Sequence, residues 1–418
     1  MSSAPAHTPP PIRPDVADDS HASMTVISSR EHYLAAVAMI AAGHGPIAID
    51  AERASGFRYS QRAYLIQIYR RGSGIFLFDP PMIGSFSELN AVIRDEEWVL
   101  HAASQDLACL REVGLDPTLI FDTELGARLA DLARVGLGAV VEELLGIHLA
   151  KEHSAADWST RPLPQPWLVY AALDVELLVD LRDAMATLLT SQRKTGIAAQ
   201  EFAAVLARAV KPVREDAWRK MTGLHLLRNT RNLAVARELW MVRDDFARES
   251  DIAPGRLVPD ASLVAAARVL PDSKRALSLL REFSGRASRT ELDRWWNAIE
   301  AGRATDDLPA LRGTGEAVPP PRVWADRNPI ADRRLKGARA ALAEISSLLK
   351  IPIENLLLPE ALRKLAWTAG GDADLSAVRV LLADAGARPW QIDATAQTIH
   401  HAFVDAAQDP PSGSVDAS

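Results

Sequence analysis

Cysteine is nearly absent from this chain of 418 residues, which contains only Cys109. A single thiol rules out an internal disulfide framework and suits a reducing compartment, so we expect a cytoplasmic protein. Cys109 itself is more typical of a small buried helix residue than of a nucleophile. Long apolar runs are also lacking, so we expect no segment that crosses a bilayer.

The sequence lacks a Gly-x-x-x-x-Gly-Lys-Ser/Thr loop, which is the phosphate cradle of nucleotide-driven motors. No nucleoside triphosphate is therefore expected as a partner. Residues 1–25 are rich in Pro, Ser, Ala and His and have no basic start followed by an apolar run. This composition predicts a disordered tail rather than a signal peptide.

The chain has a deficit of positive charge, because acidic residues outnumber basic ones. Its net charge of −7 argues weakly against nucleic-acid binding. The deficit is uneven, because residues 211–303 contain 18 Lys and Arg against 13 Asp and Glu, a net charge of +5. A basic half beside an acidic half fits a metal-dependent enzyme that acts on a polyanion. It fits a helical domain with a solvated face as well.

Hydrophobic periodicity divides the chain into an α/β region and a helical remainder. Three β-prone segments with short links, at 47–52, 64–69 and 75–79, predict an antiparallel meander. Later strands at 98–101 and 119–122 alternate with helices, which indicates a mixed α/β sheet. One of the predicted helices spans residues 166–189. The predicted organisation is a disordered tail at 1–25, an α/β domain at 26–210, a helical domain at 211–303, a linker at 304–328, a second helical domain at 329–407, and a disordered tail at 408–418.

The two helical domains share a short sequence echo. Residues 256–261 and 356–361 lie 100 positions apart, and in both an apolar–Pro–acid turn begins a new helix. The echo favours an internal duplication, with coincidence as the alternative.

Four carboxylates in three segments are the main chemical signal of the sequence. Asp50 and Glu52 are two apart on a predicted strand, so both side chains leave the same face. Asp106 begins a predicted helix, and Tyr170 and Asp174 share one helix face at a spacing of i, i+4. Each also has a plain structural explanation: an exposed strand end, a first-turn acid facing the helix dipole, or a surface helix residue.

Taken together, the carboxylates predict a metal site. Clustered carboxylates resist ionising together unless a cation neutralises them. Hard oxygen ligands favour Mg²⁺ or Mn²⁺, and a pair of such ions is a common device for cutting phosphodiesters.

The spacing of these residues resembles the three exonuclease motifs of the DEDD superfamily, tyrosine subtype. The flanking segments 64–69, 121–123 and 157–163 resemble the ribonuclease D family, and the resemblance extends over about residues 25–205. It implies a ribonuclease H-like fold. Residues 218–271 resemble the HRDC domain that ribonuclease D shares with RecQ-type helicases. The second helical domain departs from this pattern, with Ala340 in place of a tryptophan, although similar tails occur in actinobacterial members.

The resemblance implies a 3′–5′ exoribonuclease that releases 5′-mononucleotides from RNA with a free 3′ end, such as a transfer RNA precursor. It also implies two divalent cations, Mg²⁺ or Mn²⁺. One ion, held by Asp50, Glu52 and Asp174, would activate water. Asp50 would help to hold the second, with Asp106 assisting through water. Tyr170 would orient the attacking water.

Further candidates and alternatives remain open from the sequence. His101 either positions Asp106 or packs at a strand end. An exodeoxyribonuclease is the nearest alternative enzyme, and a non-catalytic RNA-binding protein with a degenerate nuclease fold is the alternative from another class. Candidate RNA contacts, each of which could instead be an ordinary surface residue, are Arg161, Arg214, Arg219, Lys220, Arg228 and Arg231.

Overall fold

The computed structural model describes residues 24–149, 156–208, 216–311, 318–370 and 374–408. The predicted tails, apart from residues 24, 25 and 408, lie outside these ranges, as does the candidate contact Arg214. Six strands form the sheet: β1 Val26–Ile27, β2 His44–Arg53, β3 Ala63–Arg71, β4 Gly74–Phe78, β5 Glu97–Leu100 and β6 Leu119–Asp122. The helices of this domain are α1 Arg30–Ala42, α2 Pro80–Ile83, α3 Ser87–Ile93, α4 Leu107–Glu112, α5 Thr123–Leu129, α6 Leu137–Leu145, α7 Gln165–Glu176, α8 Leu178–Ser191 and α9 Thr195–Leu206.

The sheet is mixed, with strand order β1-β4-β3-β2-β5-β6. Strands β2, β3 and β4 form the predicted antiparallel meander, while β5 and β6 continue the sheet in parallel with β2. Parallel strands need crossover connections, and α3 and α4 provide them. The predicted class, a mixed sheet followed by helical domains, is confirmed.

Two features of this domain differ from the sequence-based expectation. Residues 166–189, predicted as one helix, form α7 and α8, which are separated at Leu177. Helix α1 was not predicted, although Tyr33, Val37 and Ile40 form an apolar stripe at helical spacing and are buried.

The described residues beyond 216 form helices and the turns between them, as predicted. Two stretches repeat the same order of helices: a helix of 21 residues, a single turn, and a helix of ten residues. This repetition agrees with the proposed duplication. The helices are α10 Thr230–Ser250, α11 Pro254–Leu257, α12 Asp260–Val269, α13 Lys274–Ser278, α14 Arg286–Thr290, α15 Leu292–Ala304, α16 Trp324–Arg327, α17 Pro329–Leu349, α18 Ile353–Leu356, α19 Pro359–Thr368, α20 Leu375–Asp384 and α21 Pro389–Gln408.

The second helical domain packs against the α/β domain, and their apolar cores are continuous. Glu201 of α9, which is only 5% exposed, accepts two hydrogen bonds of 2.6 Å from Arg388 and one of 2.7 Å from Nε1 of Trp390. Within the predicted linker, α16 inserts the fully buried Trp324 into the same core. The linker segment is therefore partly an element of the second helical domain.

The first helical domain has its own core and contacts the α/β domain through the loop between β2 and β3. The hydroxyl of Tyr59 donates to Asp244 at 3.0 Å, and the amide of Ser60 donates to Asp251 at 2.9 Å. Because this loop begins just after Glu52, the domain is seated beside the predicted site. None of the helices in the described ranges has the length and apolar character that a membrane span requires.

Candidate active site

Strand β2 and helix α7 bring three of the predicted carboxylates to one point. Asp50 and Glu52 leave the same face of β2, and Asp174 faces them from the second half of α7. One carboxylate oxygen from each residue lies within 4.8 Å of the other two. This spacing suits a shared divalent cation, which prefers oxygen ligands.

Burial raises the pKa of every carboxyl group in this cluster, and repulsion by neighbouring carboxylates adds to the effect at Glu52 and Asp174. The pKa of Glu52 is raised to about 10, first by desolvation and then by the charges of Asp50, Asp174 and Asp106. Desolvation also raises the pKa of Asp50, and it raises that of Asp174 well above the usual range, with the charge of Asp50 adding to the effect. A bound cation would offset the cost of burying these neighbouring carboxylates, so the residues present fit a divalent metal.

Asp106 joins the site from a tight turn between β5 and α4. It is 5% exposed, and its side chain makes no capping hydrogen bond to the first turn of α4. Its pKa is raised well above the usual range by desolvation and then by the charge of Asp50. Arg53, at the end of β2, places Nη2 3.6 Å from Oδ1 of Asp106 and offsets part of this repulsion.

Asp122, which the sequence analysis did not single out as a site residue, holds that turn in place. Its carboxylate accepts hydrogen bonds from the amides of Ala102 and Ala103 at 3.1 and 2.9 Å, and from two amides in the first turn of α5. Ala102 has a φ of 64°, a left-handed conformation that needs such support in a non-glycine residue. The signal in the sequence is an acid directly before a helix, which is common at helix N-caps.

Tyr170 lies one turn before Asp174 on α7 and is hydrogen-bonded to it. Desolvation and the charges of Asp174 and Glu52 raise the pKa of the phenol above its usual value of about 10. Tyr170 therefore keeps its proton at neutral pH and can act as a hydrogen-bond donor in the site.

His101 does not position Asp106, and the packing alternative is the one observed. Its Nδ1 lies 2.9 Å from Oγ1 of Thr123, and the ring is also hydrogen-bonded to the backbone of Val135. Burial lowers the pKa of His101 to about 4, so the ring is neutral near pH 7. His101 thus fixes the loop that precedes α6 against the end of β6.

The carboxylates line an open cleft of about 550 Å³. Its rim includes Ser55 from the β2–β3 loop, together with Gly136 and Leu137 at the start of α6. A cleft of this size has room for a terminal nucleotide.

The five predicted basic contacts that lie in the described ranges do not line the cleft. Arg161 uses its guanidinium inside the protein, donating to Asp79 at 2.7 Å and to three backbone carbonyls. Arg219 and Arg231 likewise donate to backbone carbonyls. Lys220 and Arg228 are exposed. The structure therefore gives Arg161 a bracing role and leaves Lys220 and Arg228 as the most accessible of the predicted contacts.

Comparison with known proteins identifies the family. A 3′–5′ exonuclease domain matches residues 25–190, an HRDC domain matches 232–299, and a 3′ to 5′ exonuclease C-terminal domain matches 317–403. Ribonuclease D of Escherichia coli is 31% identical over 320 residues, which cover 74% of this chain and 81% of that protein. The chain belongs to the ribonuclease D family.

Solved structures agree with membership of the ribonuclease D family. The crystal structure of a protein from Bifidobacterium adolescentis has 36% identity and a TM-score of 0.84, covering 91% of this chain and 97% of its own. E. coli ribonuclease D, described as an exoribonuclease involved in structured RNA processing, has 26% identity and a TM-score of 0.68, with 92% and 99% covered.

Proposed function

We propose that this chain is a metal-dependent 3′–5′ exoribonuclease that shortens RNA from a free 3′ end and releases 5′-mononucleotides. The observation that carries the proposal is the convergence of Asp50, Glu52 and Asp174 within 4.8 Å, in a chain of the ribonuclease D family. The open cleft above them admits a chain end.

The side chains have separable roles in this reaction. Asp50, Glu52 and Asp174 would hold one divalent cation, Mg²⁺ or Mn²⁺, and Asp50 and Asp106 would contribute to holding a second. When bound, such ions stabilise charge on the attacking and leaving oxygens of an in-line displacement at phosphorus. Tyr170, which keeps its proton because its pKa is raised, would orient the attacking water by hydrogen bonding rather than act as a base.

We place the substrate among stable RNAs, such as transfer RNA precursors with unprocessed 3′ ends. Support comes from the family and from the E. coli relative, which is an exoribonuclease involved in structured RNA processing. The single, buried Cys109 suits action in a reducing cytoplasm.

A degradation assay tests the proposal. Purified protein with Mn²⁺ or Mg²⁺ should shorten a 5′-labelled single-stranded RNA stepwise, and EDTA should stop the reaction. A DNA oligonucleotide of the same sequence is the matched substrate. Degradation of DNA but not RNA would replace the proposal with an exodeoxyribonuclease, and binding without degradation under either metal would favour a non-catalytic RNA-binding protein.

A further inference from the structure

The first helical domain has a strongly basic segment that differs from the predicted contacts at 214–231. Residues 274–289 contain one lysine, four arginines and one glutamate, a net charge of +4 in a chain whose total is −7. All five basic side chains are exposed. They are Lys274, Arg275, Arg281, Arg286 and Arg289.

Four of these five charges are not neutralised within the described residues. Lys274 pairs with Asp293 at 2.6 Å. The four arginines make no ion pair with any carboxylate in the described ranges, although Arg294 on the neighbouring α15 contacts Glu249 and Glu291. An exposed group of unpaired arginines is typical of a protein surface that binds a phosphate backbone.

The basic segment is connected to the catalytic cleft by direct contacts. Gly285, which precedes α14, lies against the backbone of Leu257 in α11, and α11 packs on α14. Arg256 of α11 donates to the carbonyl of Gly56 at 2.6 Å, and its guanidinium lies 3.9 Å from the ring centre of Phe57. Gly56 directly follows Ser55, which lines the cleft. Exposed positive charge therefore continues from α14 through Arg256 to the cleft rim.

We infer that α13, α14 and Arg256 form a binding surface for the RNA backbone upstream of the 3′ end that occupies the cleft. This inference rests on the proposed ribonuclease function. Arg286 and Arg289 are spaced i, i+3, so they share one face of α14 and can contact successive phosphates. The surface holds RNA without reading its sequence, because phosphate contacts position a strand but carry no base information.

The test is the double variant Arg286→Glu/Arg289→Glu, measured for RNA affinity in EDTA, where the RNA stays intact. Affinity for a single strand of about 20 nucleotides should fall about 10-fold or more, and the slope of log affinity against log salt should decrease by roughly 0.7 for each lost phosphate contact.

A matched control is Arg339→Glu/Lys364→Glu, which makes the same change of charge at exposed positions of the second helical domain. This control should bind RNA as the wild type does. The proposed binding surface would be overturned if the α14 variant kept the wild-type RNA affinity and salt dependence. It would also be overturned if the control lost as much RNA affinity as the α14 variant. If the wild type degrades no RNA, the proposed activity is refuted. The affinity measurements in EDTA still test the binding surface, because they do not depend on cleavage.

A second observation concerns Gln67, a fully buried residue on β3. Neither Oε1 nor Nε2 of Gln67 has a hydrogen-bond partner within the described part of the protein. Gln67 is the direct partner of Asp50 across the β2–β3 pair, so the two side chains leave the same face of the sheet. That face packs beneath α7, which contributes Asp174.

A buried amide without hydrogen-bond partners is unfavourable, so water molecules are expected beside it. The geometry points to Gln67 as a positioning residue that orients the Asp50 carboxylate towards the cation through such water. This role rests on the proposed metal site. Outer-shell partners of this kind typically change metal affinity 10- to 100-fold when removed.

Replacement by methionine, which has a similar volume, provides the test. Gln67→Met should weaken Mn²⁺ binding about 10- to 100-fold in isothermal titration while leaving the unfolding midpoint of the metal-free protein unchanged or higher. Leu65→Met, at the buried position opposite Glu52, is the packing control and should leave Mn²⁺ affinity unchanged. Wild-type Mn²⁺ affinity in Gln67→Met would overturn the role, whereas no Mn²⁺ binding by the wild type would refute the metal site itself.

Discussion

Replacing Glu52 by glutamine should change the pH dependence of stability in a way that an ordinary surface substitution cannot. The pKa of Glu52 is about 10 in the folded protein, whereas its usual value is 4.5. Between these values the folded state binds more protons than the unfolded state, so the free energy of unfolding of the metal-free protein falls as pH rises. The slope for one proton is about 1.4 kcal/mol per pH unit, or about 4 kcal/mol between pH 5 and pH 8.

Glu52→Gln removes this proton linkage. In EDTA, the variant should gain stability relative to the wild type as pH rises from 5 to 8, by an amount approaching that figure. Urea denaturation at several pH values measures the difference. Glu112→Gln, an exposed position on α4, is the control and should follow the wild-type curve.

With added Mn²⁺, the wild type should become more stable than Glu52→Gln. A cation bound only to the folded state stabilises it by about 2.7 kcal/mol at 100 times its dissociation constant, and loss of the Glu52 carboxylate weakens that binding. Parallel pH profiles for wild type and Glu52→Gln in EDTA, with equal stabilisation by Mn²⁺, would refute the reasoning about this cluster.

Three further predictions follow from the same contacts. Asp122→Ala leaves buried amides without an acceptor and should cost about 3 kcal/mol in urea denaturation, whereas a loss below about 1 kcal/mol would contradict its role in supporting the Asp106 turn. Tyr170→Phe should lower the cleavage rate about 100-fold without changing RNA affinity, and an unchanged rate would exclude the hydroxyl from the reaction. Arg388→Met leaves the buried Glu201 without its ion-pair partner and should lower the free energy of unfolding by about 3–5 kcal/mol. Adding Glu201→Gln to the same chain should restore most of this loss. Equal stability of the single and double variants would argue against this ion pair.

Much of the α/β domain could be predicted because its signals are local. The apolar strands of the meander and the loop glycines between β3 and β4 determine their own structure, and the α7 spacing alone places Tyr170 and Asp174 on one face. Asp50 and Glu52 share a face by strand geometry alone. What brings these pairs together is the packing of α7 across the sheet, which local periodicity does not specify.

The features that the sequence does not predict depend on contacts between residues distant in sequence. His101 has a partner 22 positions away in Thr123, and Asp122 supports a turn about 20 positions before it. The buried pair of Glu201 and Arg388 spans 187 positions. Such side chains look like ordinary surface residues in the sequence, because their burial results from domain packing rather than from the local pattern.

Degradation of a 5′-labelled RNA by wild type and by Asp50→Asn, each with Mn²⁺, tests the central claim most directly. The substitution keeps the size of the side chain but removes a carboxylate that contributes to both predicted cation positions. The wild type should produce a ladder that shortens by single nucleotides from the 3′ end, while Asp50→Asn should bind the RNA with similar affinity and leave it intact. Cleavage by Asp50→Asn at the wild-type rate would contradict the assignment of this carboxylate cluster as the catalytic site.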